Sequence, residues 1–214
     1  ALCDEPAIVV AQSLGALVVL AVAEEYPELF ARLIVVNVPV FPERLPNRWM
    51  RLLSYLPLEL VQIADNLRLA RLFTPLLWTV VAIERREIVE NPDDVTFEEV
   101  YWSSYPYLEF PNTIVKITEE LQQAEKEIEK LLQKQPNLIS QIQDNLAKIT
   151  CPTLILWGEK DSWFPATNGT KLRDRLPNSQ LKIIPNGGHD LAAGSPEAAT
   201  AAIIEFLEDT GFYQ

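Results

Sequence analysis

The stretch from Ile8 to Ala23, IVVAQSLGALVVLAVA, constrains the fold more than any other part of the chain. An apolar run stops at the polar pair Gln12-Ser13 and resumes after Gly15. Ile8 to Ala11 is short and largely β-branched, the character of a strand covered on both faces. Leu14 to Ala23 is too long and unbroken for a strand and reads as a buried helix. The reading is therefore strand, sharp turn, helix, with Ser13 at the turn. Ala11 and Gly15, two positions either side, are small enough for a backbone that doubles back closely. A serine in this place equally suits the N-cap of a helix.

Two further apolar runs lie far downstream. Thr153 to Trp157 is bounded by Pro152 and Gly158, and Asp161 follows it; Leu181 to Ile184 runs into Pro185-Asn186-Gly187-Gly188 and then His189. Leu33 to Val36 is the core strand next after the first helix, and Asn37 follows it. Ser13, Asp161 and His189 thus each stand just beyond the C-terminal end of a strand predicted to be parallel, the rim where open α/β sheets bind ligands. The chain has a single histidine. A serine hydroxyl is a poor nucleophile at neutral pH without a base in hydrogen-bond reach, so only His189 can activate Ser13. A structural histidine in a glycine-rich loop, ahead of the helix start Ser195-Pro196-Glu197, is the plainer alternative.

On these residues the chain resembles the α/β-hydrolase superfamily, whose nucleophile elbow is written G-x-S-x-G; here the motif is Ala11-Gln12-Ser13-Leu14-Gly15, one methyl group away. The order Ser, Asp, His along the chain is also that family's. The resemblance implies an α/β fold with a mostly parallel sheet. It implies Ser13 as nucleophile, His189 as general base and Asp161 as the acid that orients the imidazole. It also implies the backbone N–H of Leu14 as an oxyanion donor, and Gln12 and Trp163 in contact with substrate. Asp190 adjoins the histidine but its side chain diverges from it. Asn37 stands where some relatives carry the acid, and an amide cannot compensate an imidazolium charge. Asp161 alternatively caps the turn Ser162-Trp163-Phe164-Pro165.

The resemblance covers Pro6 to about Val40 and Ile149 to the C-terminus, so residues 1–40 and 149–214 are expected to form the core and 41–148 an inserted helical cap. In that fold several strands precede the elbow. Ile8 to Ala11 is accordingly expected to be an uncovered apolar sheet edge, with a second oxyanion donor supplied by a segment upstream of Ala1. Within 41–148, Trp49, Leu52, Leu53 and Leu56, then Leu60, Ile63, Leu67 and Leu72, recur at helical spacing and are expected to pack on the core, with a pocket or a membrane surface as alternatives. Tyr101, Trp102, Tyr105, Tyr107 and Phe110 make an aromatic stretch interrupted by Pro106 and Pro111. Thr113 to Gln135 and Leu138 to Lys148 read as helices separated by Pro136.

Composition narrows the partners. A net charge of −12, from 18 basic and 30 acidic residues, repels nucleic acid and anionic lipid surfaces. No apolar stretch reaches the roughly 20 residues of a membrane helix, so a soluble protein is expected. Cys3 and Cys151 form no disulfide framework, and a buried Cys151 favours a reducing, cytoplasmic setting. One histidine and two distant cysteines make no ordinary zinc site, and no phosphate- or dinucleotide-binding motif is present, so neither metal nor cofactor is implied. The expected function is a serine hydrolase that cleaves an ester-like bond of a small apolar substrate. A lyase or acyltransferase with the same triad, and a non-catalytic binding protein on this frame, are the alternatives. Oligomeric state is open.

Overall fold

The computed structural model describes residues 5–211, so Cys3 lies outside the described residues. In chain order they form β1 (Ala7–Gln12), α1 (Ser13–Glu25), β2 (Phe30–Val36), α2 (Arg48–Ser54), α3 (Leu58–Asn66), α4 (Leu69–Leu72), α5 (Thr74–Ile88), α6 (Phe97–Glu109), α7 (Thr113–Leu132), α8 (Leu138–Asn145), β3 (Thr153–Gly158), α9 (Thr167–Arg173), β4 (Ser179–Ile184), α10 (Leu191–Gly194) and α11 (Pro196–Asp209). The chain divides into two compact units, 1–42 with 88–90 and 136–214, and 43–87 with 91–135.

The first unit is a four-stranded, wholly parallel sheet in the order β1-β2-β3-β4. Its layers follow from alternation along the strands. Leu33, Val35, Ile155 and Trp157 point to one face, where Ala16, Leu20 and Ala23 of α1, Ile142 of α8 and Leu172 of α9 complete a core. Ile34, Val36, Leu154, Leu156 and Ile184 point to the other, against Leu191, Ala199, Ala202 and Phe206 of α10 and α11. Each fully buried Leu or Ile contributes about 1.5–3 kcal/mol. Register brings the strand ends to one rim: Gln12 pairs with Val36, Val36 with Leu156, and Gly158 with Ile184. Cys151 is an unpaired, buried thiol, and burial pushes its pKa up.

Two expectations fail on one side of this unit. β1 is not covered on both faces, because Val10 is 55% exposed, and α1 is not buried all round, because Leu14 and Val18 are 60% and 56% exposed. Ala16, Leu20 and Ala23 are its buried stripe, with Leu17, Val19 and Ala21 partly buried against the same core. Among the described strands β1 pairs with β2 alone, as expected of a sheet edge.

The second unit is helical. The expected packing of Leu60, Ile63, Leu67 and Leu72 is overturned: all four are more than half exposed, while Val61 and Asp65 turn inward on α3. The Asp65 carboxylate is buried because it accepts a hydrogen bond from the backbone N–H of Asn112 at 2.8 Å. Pro106 does not interrupt the aromatic stretch but lies inside α6. A proline there forfeits a single backbone bond near the end of the helix, and Tyr101, Trp102, Tyr105 and Phe110 run along it in successive ring contacts of 5.1–5.9 Å. α7 ends at Leu132, ahead of Pro136, where Lys134 takes a left-handed conformation. Half-buried Glu84 accepts from Asn47 Nδ2 at 2.8 Å, and burial raises its pKa. Among the described residues no helix is long and apolar enough to cross a membrane.

Candidate active site

Each of the four strands in the first unit leads, at its C-terminal end, to a polar residue of interest. Ser13 follows β1 directly, Asn37 follows β2 directly, and Asp161 and His189 lie in the loops after β3 and β4. Ser13 has φ +52°, the left-handed region that a side chain other than glycine adopts only under constraint. The turn between β1 and α1 presents its hydroxyl instead of folding it into the helix. Gln12 occupies the N-cap position with no side-chain cap bond, so the N–H groups that open α1, Leu14 among them, have no capping side chain.

His189 Nε2 lies 2.9 Å from Ser13 Oγ, and His189 Nδ1 lies 2.9 Å from Asp161 Oδ2. The histidine and the aspartate are buried, at 2% and 8% exposure. Asp161 uses its two carboxylate oxygens for different partners. Its Oδ1 accepts the backbone N–H groups of Trp163 and Phe164 at 2.8 and 3.0 Å, which leaves Oδ2 for the imidazole. The carboxylate is therefore fixed by the turn that it caps. The Trp163 ring lies 4.7 Å from the imidazole, tilted by 31°, and its buried indole N–H has no hydrogen-bond partner among the described residues. Phe164 approaches the imidazole at 5.5 Å.

Gln12, expected to touch substrate, directs its amide elsewhere: Nε2 donates to the His189 carbonyl and to Asp190 Oδ1, both at 3.3 Å. Asp190 also accepts the backbone N–H of Ala193 and so caps α10. Gly15 does not answer a close approach; among the described residues a Cβ there would meet nothing within 4 Å. The tight contact lies at Gly158, where a Cβ would fall 2.2 Å from Gly188 O. Sequence reasoning missed the role of Asn37, which is fully buried. Its Nδ2 donates to the carbonyls of Gly188 and His189, and its Oδ1 accepts from Gly158 N–H. The available signal was an Asn placed directly after a core strand, a polar residue where only a satisfied one is tolerated. Among the described residues no three His, Cys, Asp or Glu side chains gather to hold a metal ion.

A family model described as alpha/beta hydrolase fold matches residues 1–193. The chain belongs to the α/β-hydrolase family. The relatives of this hydrolase-family chain include a 2-hydroxy-6-oxononadienedioate/2-hydroxy-6-oxononatrienedioate hydrolase of Pseudomonas putida, 36% identical over 63 residues, which are 29% of this chain and 22% of that protein. A monoacylglycerol lipase of Mus musculus is 30% identical over 66 residues, 31% of this chain and 20% of that one. A crystal structure of an alpha/beta hydrolase fold protein from Burkholderia ambifaria has the same fold, with TM-score 0.66 and 20% identity over 94% of this chain and 66% of that chain. The α/β-hydrolase chain thus matches only about a quarter or less of these curated relatives' length.

Proposed function

We propose that this chain carries the nucleophile, base and orienting acid of a serine hydrolase acting on an ester-like bond of a small, apolar substrate. The observation that carries the reading is the contact of the chain's one histidine with Ser13 Oγ and Asp161 Oδ2, 2.9 Å on each side. Ser13 Oγ adds to the carbonyl carbon while its proton passes to His189 Nε2. Asp161 holds the ring by Nδ1 and offsets the imidazolium charge. The oxyanion takes a hydrogen bond from Leu14 N–H at the positive end of α1. Collapse breaks the carbon–oxygen bond to the leaving group, which takes the proton from Nε2. Water then adds to the acyl-serine in the same manner, releasing a carboxylic acid and restoring Ser13. The Trp163 ring beside the imidazole suits an apolar substrate group.

The test is labelling by a fluorophosphonate, followed by mass spectrometry. Ser13 is expected to carry the adduct, and His189→Ala to slow labelling by at least about 10²-fold. Adduct on another residue, or equal labelling of the variant, removes the reading. An alcohol that replaces water as acyl acceptor would redirect the same site to acyl transfer.

A further inference from the structure

We infer that Asn37 is a positioning residue for His189, gripping the two peptide planes that flank its Cα and so fixing the direction of the imidazole. The inference rests on the triad reading above but concerns a residue outside the triad. A peptide unit is planar, so φ and ψ of a residue are set once the planes on either side of it are held. Asn37 Nδ2 donates to Gly188 O at 3.2 Å, on the plane before His189, and to His189 O at 2.5 Å, on the plane after it. The second plane is held at its other end too, because Asp190 N–H donates to Ile88 O at 2.8 Å. Gln12 Nε2 adds a bond to the same His189 carbonyl from the end of β1, one residue before Ser13.

The remaining atom of the amide ties the clamp to the sheet. Asn37 Oδ1 accepts from Gly158 N–H at 2.9 Å, and Asn37 N–H donates to Leu156 O at 3.0 Å, so β2, β3 and the loop after β4 meet on one side chain. The partners settle which end of the amide is which: two carbonyls require the NH₂ and one N–H requires the oxygen. An aspartate would set a carboxylate oxygen against two carbonyl oxygens in a fully buried place. That is why an amide, and not an acid, stands at the end of β2. Asn37 also has φ +46°, a conformation that Asn and Asp tolerate and Gly adopts freely.

Two variants separate backbone from side chain. Asn37→Gly keeps the backbone angle and deletes the clamp; Asn37→Asp keeps the shape and reverses the donor. Because His189 is the chain's one histidine, ring-labelled histidine gives a single set of NMR signals, which reads its geometry without any turnover. The wild-type ring is expected to show an Nδ1 proton protected from exchange by Asp161. Both variants are expected to lose that protection and to slow fluorophosphonate labelling by about 10- to 100-fold, the scale of a misplacement near 1 Å. Asn178→Ala, which loses an exposed Asn bond to Thr150 O before β3, is expected to keep wild-type ring signals and rate. Wild-type ring signals and rate in both Asn37 variants would overturn the inference, as would a wild-type ring with no protected Nδ1 proton. Protection lost in the variants while wild-type Ser13 resists labelling would refute the hydrolase and leave the clamp standing.

Discussion

At the residue scale the site depends on one side chain serving two masters. Asp161 caps its own turn with Oδ1 and meets the imidazole with Oδ2. The two functions respond differently to substitution. Asp161→Asn retains an oxygen for the turn but removes the charge and the second acceptor, so the fold should survive while labelling of Ser13 falls by about 10²- to 10⁴-fold. Asp161→Ala removes both, and should in addition lower stability by about 1–2 kcal/mol, the usual loss for a cap. Denaturant unfolding beside labelling kinetics checks the pair; equal stability of the two variants would mean that the turn does not need its cap. That Ser13, Asp161 and His189 come together was legible because each stands just beyond a strand end, and the chain offers a single histidine. Asn37 was not. Its value lies in which backbone atoms it meets, and no spacing in the sequence encodes a contact across 151 or 152 positions.

At the element scale the sheet and its helices were legible because buried parallel strands leave continuous apolar runs between Pro and Gly. Faces were less so. Leu60, Ile63 and Leu67 repeat at helical spacing, yet the buried face of α3 carries Val61 and Asp65, since a single carboxylate satisfied by a neighbouring backbone can turn inward and reverse the pattern. Glycines were misjudged for a related reason: the residue type marks permission, and only the neighbours decide whether it is used. Gly15, in the elbow motif, has open space around it, whereas Gly158, outside the motif, sits against the His189 loop. Gly15→Ala, within α1, is therefore expected to be neutral or to stabilise by up to about 1 kcal/mol. Gly158→Ala must push apart β3 and the Gly187-Gly188 backbone, and is expected to cost about 1–3 kcal/mol or more. Thermal unfolding of the two variants checks the contrast, and the opposite order would contradict the packing described.

At the scale of the whole molecule, the acidic balance and an uncovered apolar face pull in opposite directions. Val10 on β1, Leu14, Val18 and Val22 on α1, and Tyr26 and Leu29 beyond it are all more than a third exposed. A helix that is apolar all round belongs in an interior, and an apolar edge strand is a template for pairing. A net charge of −12 keeps copies apart but does nothing to hydrate that face. A neutral apolar dye such as Nile red should therefore bind the folded chain. Val10→Lys and Val18→Lys should each lower its emission and leave the unfolding temperature within about 2–4 °C of wild type, the shift that about 1 kcal/mol produces in a chain of this length. The exposed stripe of α3 supplies the comparison. Leu60→Lys removes apolar surface from the second unit, so its effect should add to that of Val18→Lys if the two faces bind dye independently. If neither valine substitution changes the emission, the β1 and α1 face is covered in solution.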